Sequence, residues 1–111
     1  MTAVKNPFLG TWLITEMSEW GDEYFNEQGQ AYITIGKNFD GAFLFGSVQG
    51  EMDCELVKGH LECEMAFSWQ GNDEEDEASG RGWFKLTTQK MIEGRIFIHM
   101  GENSTFKAVK K

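Results

Sequence analysis

Two histidines, two arginines, four tryptophans and two cysteines are the scarce reactive or recognition-bearing residues of this chain. Trp12, Glu16, Trp69, Arg81, Trp83, Arg95 and His99 form the constellation best suited to a binding site. Period-two alternation puts Trp12, Ile14 and Glu16 on one face of a first strand, and Arg95, Phe97 and His99 on one face of a seventh. Trp69 ends a fifth strand, and Arg81 and Trp83 begin a sixth. Aromatic walls with a few polar groups are what a small-molecule pocket needs. The set is therefore the candidate site for a small, partly apolar ligand. A competing arrangement makes the same residues an interior plug, with Glu16 paired to Arg95 or His99 to offset the cost of burying charge. Ile96, Ile98 and Met100 are the more apolar face of the seventh strand and compete for the interior.

Other chemistry is sparsely marked. There is no Gly-x-Ser-x-Gly elbow, phosphate loop or dinucleotide fingerprint. No catalytic residue and no cofactor is assigned, and an enzyme is the least favoured reading. Cys54 and Cys63 are not spaced as Cys-x-x-Cys, which argues against zinc and thiol–disulfide exchange. A two-residue turn at Lys58-Gly59 would set Cys54 opposite Cys63, close enough for a disulfide; two buried thiols acting as small hydrophobes is the favoured alternative. Asn72-Asp73-Glu74-Glu75-Asp76 offers oxygen ligands to a hard cation but lacks the alternating ligands and turn glycine of a calcium loop, so the run Asp73 to Glu77 reads as a solvated loop within Gln70 to Ser79, with weak, non-selective cation binding as the alternative. No metal site is assigned.

The elements that must position these residues are short. Thirteen glycines and one proline punctuate segments rich in Val, Ile, Thr, Phe, Tyr and Trp, the pattern of antiparallel β structure. Strands are expected at Gly10 to Ser18, Gln30 to Ile35, Ala42 to Val48, Glu51 to Val57, Leu61 to Trp69, Gly82 to Thr88, Gly94 to Met100 and Ser104 to Val109. The fifth alternates most cleanly, with Leu61, Cys63, Met65, Phe67 and Trp69 inward; Met52, Cys54 and Leu56 face inward from the fourth. Eight such strands joined by short turns make an antiparallel meander barrel, whose closure removes exposed edges. Between the first two strands, the helix-like offset of Trp20, Tyr24 and Phe25 predicts one helical turn lying across a barrel end.

Residues 1–111 read as a single barrel domain, in the usual size range for one domain. A net charge of −8 argues against nucleic-acid and anionic-membrane partners, both of which call for a cationic face. No apolar run reaches the ~18 residues of a spanning helix, and the first residues lack the apolar core of a signal peptide, so a cytoplasmic location is expected.

Gly10-Thr11-Trp12 on a first strand, followed by an eight-stranded meander, resembles the calycins, the lipocalin and avidin superfamily. Ser104-Thr105-Phe106-Lys107 is similar to the last strand of avidin-type barrels. The lipocalin likeness implies a basic last-strand residue beside Trp12, with Lys107 as the candidate. Biotin is not implied. A likeness over nearly the whole chain joins Gly10-Thr11-Trp12 with Thr15-Glu16-Met17, and Phe43-x-Phe45-Gly46 with Gly50 and Asp53. It continues through Phe67-x-Trp69-x-Gly71-Asn72-Asp73-Glu74 and Ser79-Gly80-Arg81-Gly82-Trp83 to Glu93-Gly94-Arg95-Ile96-Phe97-Ile98-His99. This is similar to a group of small bacterial proteins of uncharacterised activity. Glu77 replaces the proline that this likeness implies before Ala78, a change expected to loosen the acidic loop.

Two non-enzymatic functions compete: a barrel binding a small ligand, and an interaction module acting through an acidic surface. The latter draws on Glu51, Asp53, Glu55, Glu62 and Glu64, which share the outer face of one hairpin. A homodimer is expected because one barrel interior accepts only one face of each strand, leaving Trp83 and Phe97 as surplus apolar residues outside.

Overall fold

The computed structural model of the chain describes residues 6–57 and 64–111. The strands are β1 (Gly10–Met17), β2 (Tyr32–Ile35), β3 (Asp40–Phe45), β4 (Val48–Val57), β5 (Glu64–Asp73), β6 (Asp76–Thr88), β7 (Met91–Ile98) and β8 (Asn103–Lys110); the helical turn α1 (Asp22–Phe25) follows β1. Each strand pairs antiparallel with its sequence neighbour, and β8 returns to β1 to close an eight-stranded barrel. Closure satisfies every ladder without an open edge. The all-β meander with its helical turn is the architecture expected from the sequence, and it is consistent with a calycin-like fold.

Alternation fills the interior. Met52 and Cys54 enter from β4, Met65, Phe67 and Trp69 from β5, Phe84 from β6, Ile92 and Ile96 from β7, and Phe106 and Ala108 from β8. On β7 the isoleucines own the inside, and Arg95 and Phe97 point outward, half-exposed. The burial of Ile96 is worth ~2 kcal/mol that an arginine in its place could not supply. Met100 does not extend that face: β7 ends at Ile98, and Met100 sits in the following turn at φ 59, almost fully exposed. β1 departs from strict alternation. A bulge between Ile14 and Glu16 leaves Thr15 without a register partner on β8, its hydroxyl donating to the Lys107 carbonyl at 3.3 Å, so the phase slips by one. Trp12 and Ile14 face inward, but Met17 takes the next inward position and Glu16 is turned to solvent.

Both barrel ends are covered. At one end the Asn6 Oδ1 atom accepts from the Phe8 amide at 3.0 Å, and Phe8 packs edge-on against Phe84 with ring centroids 5.0 Å apart. At the other, α1 buries Phe25, while Trp20 lies 5.2 Å from the Phe45 ring and 5.6 Å from Tyr24. β3 stops at Phe45 because Gly46 adopts φ 57 and tucks under the Tyr24 ring, so Val48 begins the next strand.

Two hairpins correct the sequence reading. β4 and β5 pair Val57 with Glu64 and Cys54 with Phe67, so Phe67 rather than Cys63 stands opposite Cys54. Cys54 is a buried free thiol; Cys63, His60, Leu61 and Glu62 lie outside the described residues. The acidic segment is not a long loop. β5 runs to Asp73 and β6 starts at Asp76, leaving a tight turn in which Glu74 has φ 57. The Ser47 hydroxyl donates to Asp73 Oδ1 at 2.5 Å and the Glu74 amide donates to the Ser47 carbonyl at 3.0 Å. These bonds fasten the tip, while its carboxylates project into water and keep their hydration.

Candidate functional site

The structure separates the residues that the sequence grouped. Trp12 is fully buried; its Nε1 donates to the Phe8 carbonyl at 2.8 Å, and Lys110 Nζ lies 4.8 Å from its ring centroid. The same ammonium donates to the Leu9 carbonyl. Lys110, rather than Lys107, is thus the last-strand cation beside Trp12. Lys107 points outward and pairs at 3.9 Å with Glu16, both side chains more than half exposed. Trp69 is buried, stands edge-on to Phe43 with centroids 5.0 Å apart, and donates from Nε1 to the Phe97 carbonyl at 3.2 Å. Arg81, Trp83 and Arg95 are on the outer face. The Arg81 guanidinium covers the Phe97 ring at 4.2 Å, and Arg95 donates to Asn103 Oδ1. No interior plug of Glu16 with Arg95 or His99 forms, since Glu16 and Arg95 find partners on the outside.

The interior itself leaves little room. The space among Ile14, Met17, Ile33, Phe43, Met52, Phe67, Ile96 and Phe106 is about 10 Å³, and a single water needs at least ~10–15 Å³ on the same kind of measure. The volume lies outside. A groove of about 910 Å³ crosses the outer face from β2 to β6. Its floor is backbone at Gly50 and Gly71, where the strands approach so closely that a Cβ on Gly71 would fall 1.9 Å from the Gln49 carbonyl oxygen. Glycine is required at such a bend of the sheet.

Two rungs of outward residues line this groove. Register aligns Tyr32, Gln49, Asn72 and Glu77 in one rung, which passes through Leu44 on β3, itself outside the groove lining. It aligns Ala42, Glu51, Gln70 and Ser79 in the next. His99 joins the second rung because its amide donates to the Ser79 carbonyl at 2.7 Å. Of the seven sequence candidates, only His99 lines the groove. Asn72 donates to the Glu74 carbonyl at 3.3 Å. Among the described residues, the side chains of Gln49, Glu51, Gln70, Glu77, Ser79 and His99 make no hydrogen bond to the protein. The groove therefore presents amide, hydroxyl, imidazole and carboxylate groups whose bonding capacity is spent on solvent or on a ligand.

Its electrostatics are one-sided. Glu51 and Glu77 are its carboxylates, and no described lysine or arginine lines it. Arg81, Lys85, Arg95 and Lys107 stand instead on the outer positions of β6–β8. Sequence reasoning finds Glu51 and Glu77 only as parts of acidic surfaces and Asn72 only as a possible oxygen ligand of the acidic loop, and it assigns no role to Gln49, Gln70 or Ser79. Their common signal is an outward position beside a strand glycine, which becomes informative only once the hairpin registers are known.

Among the described residues, no group of three or more His, Cys, Asp or Glu is placed to hold a metal ion, and no helix is long and apolar enough to cross a membrane. No protein-family model, curated protein or solved structure matches the chain.

Proposed function

We propose that this barrel binds a small polar ligand with one apolar edge, and that the ligand sits in the outer groove rather than inside the barrel. The observation that carries the reading is the contrast in volume: about 910 Å³ outside against about 10 Å³ inside. Ligand pockets commonly span ~300–1,000 Å³ and combine convergent polar groups with an apolar wall. Gln49, Gln70, Asn72 and Ser79 supply the former, and Tyr32 with Ala42 the latter. The barrel's closed hydrogen-bond ladder holds these side chains on a rigid lattice, which lowers the ordering cost of binding.

Thermal denaturation with a library of small polar compounds tests this reading, using the wild type and Gln70→Trp, which fills the groove from its centre. A ligand present at 100 times its Kd stabilises the wild type by ~2.7 kcal/mol. The same compound is expected to leave Gln70→Trp unmoved. Equal stabilisation of both proteins would place the ligand elsewhere.

A second reading, an interaction module that forms a homodimer, is supported by Trp83 and Phe97. Both are outward-facing and half-buried on neighbouring strands, with Arg81 stacked on Phe97. Exposed acids at Glu51, Asp53 and Glu55 occupy β4, on another part of the wall. A two-fold pairing through β6 and β7 would cover the aromatic residues. Light scattering decides it: a mass of 12.6 kDa at every concentration rejects the dimer, and Trp83→Asp should split a genuine one.

A further inference from the structure

The groove's lining selects a ligand class by charge. Glu51 and Glu77 belong to its wall, and no described lysine or arginine does. A phosphate, nucleotide or carboxylate entering it would meet two like charges, no lysine or arginine, and only the His99 imidazole as a ring donor. A neutral saccharide would find amides and hydroxyls but little aromatic surface on which to lay a ring, because Phe43 is buried and Tyr32 stands at one end. A cation finds acceptors throughout: two carboxylates, the amide carbonyls of Gln49 and Gln70, and the Ser79 hydroxyl.

The register also sets a length. Glu51 lies on β4 and Glu77 on β6, one rung apart and separated by β5. Two inter-strand spacings and one two-residue step put their Cα atoms about 12 Å apart in a flat sheet. Gln70 and Asn72 lie between them on β5. A single ammonium can pair closely with one carboxylate; an extended chain with an ammonium near each end reaches both.

Resting on the assignment of the groove as the ligand site, we propose that its ligand is a linear polyamine carrying two or more ammonium groups about 10 Å apart, one paired with Glu51 and another with Glu77. Gln49, Gln70 and Ser79 accept from the nitrogen between them, and the methylene chain runs over the groove floor at Gly50 and Gly71.

Isothermal titration of spermidine into the full chain at low ionic strength tests the proposal, with maltose as the neutral comparison ligand. The expected result is one spermidine per chain, weakened roughly threefold to fivefold by Glu51→Gln or by Glu77→Gln, and further by added salt. Glu23→Gln and Glu27→Gln make the same charge change at exposed positions outside the groove, and should leave the affinity within error; melting curves confirm that each variant is folded. Equal weakening by the control variants would mean diffuse attraction to an acidic protein and would overturn the proposal. Binding of maltose but not spermidine, abolished by Gln70→Trp, would overturn the polyamine while keeping the groove. Heat from neither ligand also overturns the polyamine; the compound library on wild type and Gln70→Trp then judges the groove by itself.

Discussion

Gly80→Ala should be among the most damaging conservative substitutions in this barrel. Gly80 is on β6 opposite Ile98 of β7. A Cβ added there would fall 1.8 Å from the Phe97 carbonyl oxygen and 2.8 Å from Trp69 Nε1. The obstruction is backbone, so no side-chain rotation relieves it; the strands must separate by about 1 Å or more to restore van der Waals contact. The same carbonyl accepts the Trp69 indole hydrogen bond at 3.2 Å, so separation also strands a buried donor. Losing that bond costs about 1–1.5 kcal/mol, and the overpacking about 1–3 kcal/mol. The total, about 2–4 kcal/mol, is a large part of the ~5–15 kcal/mol available to a domain. Tm should fall by roughly 10–20 °C. Gly21→Ala is the matched control: Gly21 has φ −83, a methyl group added there would meet nothing within 4 Å, and replacing this helix N-cap should cost less than about 1 kcal/mol. Urea denaturation followed by tryptophan fluorescence and circular dichroism gives both values. A Gly80→Ala protein within about 0.5 kcal/mol of wild type would refute the close approach of β6 and β7 at this point.

Two further outcomes follow from the packing. Lys110→Ala should cost about 1–2 kcal/mol, since it removes both the cation over Trp12 and the bond to the Leu9 carbonyl. Lys107→Ala breaks only an exposed pair with Glu16 and should cost less than about 0.5 kcal/mol; equal losses in thermal melts would contradict this division of roles. Burial pushes the Cys54 thiol from 9.0 to about 12, with Asp53 and then Asp40 adding to the shift. The folded state thus keeps its proton while the unfolded thiol ionises, so this contribution is intact below pH 9.0 and is lost as pH rises toward about 12. Urea titrations across that range should show wild type losing stability more steeply than Cys54→Ala, and parallel curves would contradict the shift.

The strand content was legible because the period-two signal is local. Met65, Phe67 and Trp69 alternate with Ala66 and Ser68, and their inward placement needs no knowledge of any partner strand. The Trp20, Tyr24 and Phe25 offset was legible for the same reason, and it places a helical turn over a barrel end. Phase errors arise where a single residue breaks the period. Thr15 is an ordinary strand residue in sequence, yet its bulge turns Glu16 outward and Met17 inward. β7 carries apolar residues on both faces, so only the competition for one interior decides between Phe97 and the isoleucines. The acidic tip reads as a loop when charge repulsion is weighed without the Ser47 bonds that reach it from another hairpin. The groove is the least legible feature. Glu51, Gln70 and Ser79 become neighbours only through two hairpin registers, and the first of these depends on how the chain turns between Val57 and Glu64.

The central claim, that the filled barrel offers its binding surface outside, is tested most directly by nuclear magnetic resonance mapping of a bound ligand. Amide and methyl spectra would be recorded on one labelled sample as a groove-dependent compound, or spermidine, is added. The account predicts the largest shifts at the amides of Gln49, Gln70 and Ser79 and at the His99 ring, with the interior methyl groups of Ile33, Met52 and Ile96 nearly still. Shifts concentrated on those interior methyls, with the groove amides unmoved, would contradict it.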